Sequence, residues 1–166
     1  MKPKPQTLVM IATTMLASGT IQLQSANSQT FRINNHGKTG HGFTTNEGSI
    51  TALHVGGLQF DYIFPQMDIG INTASKSDEG FKTSDLPPAY FIDRRGTRHS
   101  VNRVGETGLQ TTLNIRFFPG ESGMPVFARD GTVCGVVLGN VLIAKTWLGR
   151  MSRVKPIVEA ANPKND

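Results

Sequence analysis

Ser122 is the residue whose surroundings in the sequence most strongly suggest covalent chemistry. It lies in the segment Gly120-Glu121-Ser122-Gly123, after one predicted strand and before a predicted hairpin. A serine held in a tight glycine turn exposes its hydroxyl, and the neighbouring backbone amides are free to bind a developing oxyanion. Gly120 permits the positive φ that such a turn often requires. Ser122 is therefore a candidate nucleophile, while the same segment is also compatible with an ordinary turn.

A histidine and an aspartate precede this serine, and each lies beside a predicted strand. His54 follows the strand predicted over residues 49–53, and Asp68 opens the alternating segment 68–73. An imidazole can take the serine proton, and a carboxylate can hold the imidazole in the tautomer that does so. Asp61, seven residues after His54, is a rival acid without a strand motif.

The composition indicates which elements must position these residues. Of 166 residues, 37% are hydrophobic, 17% are charged and 18 are glycine, which favours short strands and tight turns over a coiled coil. The single cysteine excludes an internal disulfide and a cysteine-built zinc site, and we expect no metal or other cofactor. No apolar run reaches the roughly 18 residues of a membrane-spanning helix.

The charge pattern bears on possible partners. The net charge is +5, and basic residues are spread along the chain apart from Arg94, Arg95 and Arg98. We interpret those three as a solvated turn, because a nucleic-acid site usually needs denser clustering on one face. Nucleic acid is therefore not an expected partner.

Turn signals recur along the chain at the spacing of short strands. Asn46-Glu47-Gly48 and Asp130-Gly131 each separate two strand-like runs and predict hairpins. Residues 141–147 form the last predicted strand, and residues 152–161 are predicted to form a helix capped by Ser152. About ten short strands of this kind indicate an antiparallel barrel or sandwich.

The order His54, Asp68, Ser122 resembles that of trypsin-like serine peptidases of the chymotrypsin fold. The likeness is clearest to their compact bacterial high-temperature-requirement-type and viral or phage members. It is carried by Gly40-His41-Gly42 leading through Gly48 to Thr51-Ala52-Leu53-His54-Val55, by Asp68-Ile69-Gly70, by Gly120-Glu121-Ser122-Gly123-Met124-Pro125-Val126-Phe127, and by Gly131-Thr132-Val133-Cys134-Gly135-Val136. The resemblance implies an all-β fold of two minimal antiparallel barrels of the chymotrypsin type, with a short C-terminal helix.

The resemblance also implies a division of the chain. Residues 30–166 would form one peptidase domain, made of a first barrel over about 30–74, a linker over about 75–88, a second barrel over about 89–149 and a terminal helix over about 152–161. His54 and Asp68 would lie in the first barrel and Ser122 in the second. The site would then occupy the cleft between them.

Each candidate residue receives a role from this resemblance. Ser122 would attack the scissile carbonyl, His54 would take its proton and return it to the leaving amine, and Asp68 would orient the imidazole. The backbone amides of Gly120 and Ser122 would bind the oxyanion. The chain would thus be a serine endopeptidase that hydrolyses polypeptides through an acyl-enzyme intermediate.

The same resemblance suggests where substrate would lie. The strand Val136–Asn140 would form one wall of the specificity pocket and pair with the substrate backbone, through Leu138, Gly139 and Asn140. Arg116, six residues before the nucleophile, would fall at the pocket floor and favour an acidic side chain before the cleaved bond. The resemblance assigns no role to three further histidines, which are interpreted as surface or turn residues: His36, His41 and His99.

A second interpretation stands beside the enzyme. The chain could be a catalytically silent domain of the same fold, serving as a binding or structural protein such as a virion component. Asp68 lies only 14 positions after His54, and Leu138 stands where many of these peptidases have a serine that supports the acid.

The N-terminal 29 residues have their own character. Residues 1–30 contain no Asp or Glu, and Lys2 and Lys4 precede an apolar stretch over residues 8–17. A basic start followed by a short apolar stretch is typical of a secretory signal peptide. We predict a signal peptide or a flexible arm over residues 1–29. A signal peptide implies a periplasmic or extracellular protein, and an arm implies a cytoplasmic or virion-associated one.

Overall fold

The computed structural model describes residues 11–12, 20–23 and 29–163. They form two antiparallel β-sheets and one short C-terminal α-helix, which confirms the predicted all-β class. The two sheets come from successive parts of the chain, because the first ends at Asn72 and the second begins at Pro88.

The first sheet carries the segments around His54 and Asp68. It is built from β1 (Ile11–Ala12), β2 (Thr20–Leu23), β3 (Thr30–Asn35), β4 (Lys38–Thr45), β5 (Gly48–Ala52), β6 (Tyr62–Phe64) and β7 (Ile69–Asn72). Their order across the sheet is β1-β6-β7-β5-β4-β3-β2. The predicted turn after β4 is present, since Thr45 pairs with Gly48 around a two-residue loop.

The second sheet carries the segment around Ser122. It is built from β8 (Pro88–Ile92), β9 (Arg98–Ser100), β10 (Arg103–Thr107), β11 (Gln110–Leu113), β12 (Pro125–Ala128), β13 (Val133–Ile143) and β14 (Thr146–Arg153). Their order is β10-β11-β14-β13-β12-β8-β9. Asp130 and Gly131 form the predicted turn between β12 and β13, where Gly131 adopts a φ of 85°.

One predicted strand is wrong. The sequence predicts a single strand over residues 141–147, but the structure divides that segment between β13 and β14. Ala144 and Lys145 make the turn with φ values of 47° and 64°. Neither residue type signals such a turn, because asparagine and glycine are the usual occupants. Pairing of the two long strands imposes the turn instead.

The helix α1 (Lys155–Ala161) begins three residues later than predicted, and Ser152 is not its cap. Ser152 pairs with Gln110 of β11, so it is held in an extended conformation at the end of β14. The helix starts only after Val154, with Pro156 in its first turn, where a proline is tolerated.

The segment between the sheets is tied to both of them. The Phe81 amide donates to the Thr44 carbonyl oxygen at 3.0 Å, and the Phe81 carbonyl accepts from the Asn46 amide at 3.2 Å. On the other side, the Val133 amide donates to the Lys82 carbonyl at 2.8 Å. These bonds hold the end of β4 and the start of β13 against the same stretch of chain.

Two groups of buried apolar side chains hold the molecule together. The first joins the first sheet, part of the second sheet and the helix, and includes Phe43, Ile50, Phe64, Ile71, Phe127, Val136, Leu138, Ile157 and Val158. The second lies within the second sheet and includes Phe91, Leu113, Phe117, Met124, Val126, Val137 and Met151. Because the first core crosses from one sheet to the other, it fixes the position of the loops that carry the candidate site.

The prediction for residues 1–29 falls largely outside the described residues, which exclude 1–10, 13–19 and 24–28. The strand β1 pairs with β6, and β2 pairs with β3. The signal peptide or arm stays a prediction. In the part of the chain that the structure describes, no helix combines the length and apolar character needed to cross a membrane.

Candidate active site

His54 and Asp68 form a directly bonded pair at the end of the first sheet. His54 lies just after β5, and its Nδ1 contacts the Asp68 Oδ2. The second carboxylate oxygen, Oδ1, accepts the backbone amide of His54 at 2.9 Å. The imidazole side chain is 49% exposed, so its other nitrogen is accessible from solvent. Two hydrogen bonds to one residue fix the imidazole orientation that a general base requires.

The backbone at Asp68 explains how so short a connection reaches the histidine. Asp68 adopts a left-handed conformation, with φ 56° and ψ 39°, between a turn over Pro65–Met67 and strand β7. Aspartate tolerates this region better than most residues. Gly56 and Gly57 also adopt positive φ values, of 66° and 79°, so the chain reverses immediately after His54. The connection is therefore short without separating the acid from the imidazole.

The rival acid Asp61 is engaged elsewhere. Its Oδ1 accepts the Thr73 backbone amide at 3.0 Å, and its Oδ2 accepts the Thr73 hydroxyl. Asp61 thus anchors the chain after β7, and the structure brings Asp68, not Asp61, to His54.

The Ser122 turn lies against strand β4 of the first sheet. The Ser122 carbonyl oxygen accepts the His41 amide at 2.8 Å, and the Gly123 amide donates to the Val137 carbonyl at 2.8 Å. The Ser122 hydroxyl donates to the Leu138 carbonyl oxygen at 3.3 Å. The hydroxyl proton is therefore directed at β13 in this state and must be redirected to the imidazole before attack.

Gly123 allows the turn to approach β4 and β5 closely. It adopts a φ of 89°, and a Cβ placed there would overlap the His41 carbonyl oxygen and lie 2.7 Å from the Thr51 Oγ1. The Thr51 hydroxyl donates to the same His41 carbonyl at 2.6 Å. Thr51 lies three residues before His54, and the His41 amide donates to the Ser122 carbonyl oxygen, so His41 joins the segments that carry the two candidate catalytic residues.

We expect Gly123→Ala to destabilise the protein by at least about 4 kcal/mol, because steric overlap with β4 adds to backbone strain. Gly96→Ala is the matched control, since Gly96 has nearly the same φ of 84° with nothing within 4 Å of the added carbon. The control should cost only about 1–2 kcal/mol from the left-handed backbone. Urea unfolding of both variants measures the two values, and equal losses would contradict the packing argument.

The two amides expected to bind an oxyanion are available. Among hydrogen bonds between described residues, neither the Gly120 amide nor the Ser122 amide is a donor. Gly120 adopts a φ of 89°, which favours glycine there. Glu121 between them is 1% exposed, and its carboxylate accepts the Phe118 amide at 2.6 Å and the Arg94 amide at 3.4 Å. Glu121 therefore anchors the loop from inside.

His41 is the site residue that sequence analysis misjudged. It is not a surface or turn residue, because it lies within β4 and is only 3% exposed. Its Nδ1 lies 2.7 Å from the Gly120 carbonyl oxygen, so the neutral ring carries its proton on Nδ1 and donates it. The glycines on either side, Gly40 and Gly42, were the available signal, since each lacks room for a Cβ. His41 holds the loop that carries the Gly120 and Ser122 amides.

Burial lowers the pKa of His41 below its ordinary value, and the positive charges of Arg32 and Arg94 lower it further, against the opposing effect of the Gly120 carbonyl. Below the ordinary histidine pKa of about 6.5, the unfolded chain binds a proton that the folded chain does not. The His41 contribution to stability is therefore present at neutral pH and is lost as the pH falls from there toward the lowered pKa.

When the pH is lowered from about 7.5 to about 5.5, the free energy of unfolding should fall less for His41→Gln than for the wild type, because glutamine does not titrate. The glutamine amide can still donate a hydrogen bond. His36→Asn is the control, since His36 lies in an exposed turn and asparagine suits its positive φ of 49°. Equal losses in the wild type and His41→Gln would show that His41 does not act in this way.

The predicted pocket wall has a distinctive geometry at Leu138. The register of β13 against β14 shifts between Val137 and Gly139, so Leu138 sits in a bulge with its carbonyl facing Ser122. Gly139 adopts a φ of 144°, and the space beside its α-carbon is open. Strand β12 pairs with β13 only as far as Val136, so the described part of β13 beyond the bulge pairs with β14 alone. One edge of β13 next to Ser122 is therefore not paired with any described strand.

The side chains of Asn140 and Arg116 have specific surroundings. The Asn140 amide group accepts the Phe117 amide at 2.8 Å and donates to the Phe117 carbonyl at 2.9 Å. Asn140 thus fixes the segment before the Ser122 loop to β13.

Arg116 is exposed, and its guanidinium carbon lies 5.4 Å from the centre of the Trp147 ring. Its proposed role at the pocket floor stays a prediction.

The other histidine, cysteine and acidic side chains of the described residues do not form a metal site. Within residues 29–163, no group of three or more His, Cys, Asp or Glu side chains could hold a metal ion. Cys134 is buried, and burial raises the pKa of its thiol to about 12. It therefore packs as a small apolar residue.

Comparison with known proteins agrees with this architecture. A human pathogenic astrovirus serine protease superposes with a TM-score of 0.56 at 18% identity, covering 82% of this chain and 95% of that one. The Rv3671c protease of M. tuberculosis, in an inactive form, gives a TM-score of 0.53 at 16% identity, covering 81% and 89% of the two chains. Tobacco etch virus protease complexed with product gives 0.53 at 14% identity, covering 82% and 78%.

These similarities confirm the predicted trypsin-like fold, with viral and bacterial relatives. No protein-family model matches the sequence, and no curated protein matches it. At identities of 14–18% the structural likeness establishes the fold. A catalytic activity is inferred from the geometry of the candidate active site.

Proposed function

We propose that the chain is a serine endopeptidase that uses Ser122, His54 and Asp68. The observation that carries the proposal is that His41 of β4 is bonded both to the Ser122 turn and to Thr51 of β5, the strand that leads into the bonded His54–Asp68 pair. The His54–Asp68 pair follows β5, and the Ser122 turn packs on the His41 carbonyl that also accepts the Thr51 hydroxyl. A nucleophile, an oriented base and two available amides are the parts that acyl transfer needs.

The reaction would proceed in two steps. Ser122 Oγ attacks the scissile carbonyl carbon while its proton passes to His54 Nε2, and the amides of Gly120 and Ser122 bind the oxyanion. The carbon–nitrogen bond then breaks, and the same proton goes to the leaving amine. In the second step water gives its proton to His54 and attacks the acyl carbon, and Ser122 Oγ recovers the proton as it leaves. Asp68 stabilises the imidazolium in both steps.

The free edge of β13 supports a polypeptide as the substrate. Backbone groups beyond the Leu138 bulge have no strand on the Ser122 side within the described residues. An extended peptide can add to such an edge by main-chain hydrogen bonds. Substrate residues before the cleaved bond would lie there, and Arg116 at the base of this region would favour an acidic side chain at that position.

Labelling with a fluorophosphonate probe tests the proposal directly. We expect the full chain to be labelled on Ser122 and to cleave a casein substrate, and we expect His54→Ala to suppress both. A second candidate function is a silent binding domain, which is favoured by the Ser122 hydroxyl donating to Leu138 rather than to His54. A folded wild type that neither reacts with the probe nor cleaves casein would establish that candidate instead.

A further inference from the structure

A positively charged cleft lies on the far side of the Ser122 loop from β13. Its volume is about 560 Å³, and its lining consists of Arg32, Gly37, Thr39, His41, Arg94, Pro119 and Gly120. Gly120 lies two residues before the candidate nucleophile Ser122 and also lines this cleft. The cleft thus shares Gly120 with the candidate active site.

The two arginines come from different sheets and converge here. Arg32 of β3 pairs directly with His41 of β4, which places both side chains on the same face of the sheet. Arg94 follows β8, and its backbone amide donates to the Glu121 carboxylate at 3.4 Å. The loop that presents the oxyanion amides therefore also fixes the backbone at Arg94.

Both guanidinium groups are without an internal counter-ion. Arg32 and Arg94 are exposed, and neither forms an ion pair with an acidic residue in the part of the chain that the structure describes. Two carboxylates close to Arg94 along or across the chain are already engaged: Glu121 accepts two backbone amides, and Asp93 accepts the Arg95 and Thr97 amides. Two unpaired arginines facing one cleft favour a carboxylate ligand, which guanidinium binds through paired hydrogen bonds.

The position of the cleft relative to Ser122 decides which part of a substrate it meets. Under the proposed function, residues before the cleaved bond lie along β13, where the Ser122 hydroxyl contacts Leu138. The chain after the cleaved bond would then leave Ser122 on the other side, toward the cleft lined by Gly120, Thr39 and His41. We propose that Arg32 and Arg94 bind an acidic side chain of the substrate within the few residues that follow the cleaved bond. This inference rests on the proposed function.

Cleavage of a proteome-derived peptide library, with the cut sites identified by mass spectrometry, tests the inference. We expect Asp and Glu to be enriched about threefold or more within the first three residues after the cut, a modest selection for charge-assisted bonds at a partly exposed site. The double variant Arg32→Gln/Arg94→Gln should lose this enrichment. Arg129→Gln is the matched control, because Arg129 is exposed, forms no ion pair with a described residue and lies in the β12–β13 turn.

A binding measurement separates failure of the cleft from failure of catalysis. Fluorescence anisotropy of labelled hexaglutamate and hexaglutamine peptides on Ser122→Ala requires no turnover. We expect hexaglutamate to bind about tenfold more tightly than hexaglutamine, with the difference removed by the double arginine change and weakened by high salt. The Arg129→Gln control should keep the difference.

The outcomes are distinguishable. Cleavage without acidic enrichment after the cut, or enrichment that survives the double variant, overturns the inference while the proposed function stands. Enrichment only before the cut assigns acidic recognition to Arg116 instead and also overturns it. If no variant cleaves, the proposed function fails, and equal binding of the two peptides then rejects the cleft as well.

Discussion

Ser122→Ala is expected to reduce peptide hydrolysis by about 10⁶-fold, the size of loss seen when a nucleophile is removed from a comparable serine protease. The turn should keep its shape, because its bonds to His41 and Val137 use backbone atoms of residues 122 and 123. The only side-chain bond lost is the long one to the Leu138 carbonyl. Hydrolysis of a fluorogenic peptide, measured with thermal unfolding of the same samples, gives both quantities.

The matched control for this change is Ser100→Ala. Ser100 is an exposed residue of β9, distant in sequence from the candidate site. It should keep wild-type turnover and wild-type labelling by the fluorophosphonate probe. If Ser122→Ala hydrolyses peptides as fast as Ser100→Ala, Ser122 is not the nucleophile.

Asp68→Asn is expected to lower turnover by about 10⁴-fold, as in the comparable enzyme case, because an amide cannot stabilise the imidazolium or hold the correct tautomer. The fold should survive, since asparagine adopts the left-handed backbone of residue 68 at least as readily as aspartate. The initial rate per folded molecule is the quantity to compare.

Asp61→Asn controls for loss of a nearby carboxylate. Asp61 bonds to Thr73 rather than to His54, so its variant should lose stability but keep turnover in the molecules that remain folded. A variant pair in which Asp61→Asn is inactive and Asp68→Asn is active would identify Asp61 as the acid and overturn the assignment.

Local sequence predicted those parts of the fold that depend on nearby residues. The turn after Thr45 and the turn at Asp130 and Gly131 are encoded by residues that suit them, and both hairpins form. Ser152 failed as a helix cap because its conformation is set by pairing with Gln110, 42 positions earlier. Cap propensity is a local preference, and a sheet partner overrides it.

The candidate site shows the same difference between features set by nearby residues and features set by distant ones. The motifs around His54, Asp68 and Ser122 could be found from residue types, because each has its own local setting. His41 was misjudged even though Gly40 and Gly42 flank it, since its burial depends on a loop 79 residues away whose carbonyl it binds. The convergence of Arg32 and Arg94 on one cleft was equally hidden, because it depends on how the two sheets meet.

The free edge of β13 has a consequence for how the protein behaves at high concentration. A strand open on one side accepts any extended chain, including the same strand of another molecule, and exposed apolar residues make such an edge prone to aggregation. Here Leu142 and Ile143 are half exposed just beyond Gly139. Proteins usually protect such edges with proline or charge, but that protection would also exclude an incoming peptide. Under the proposed function this edge must stay open. The net charge of +5 and the irregular bulge at Leu138 then oppose self-association.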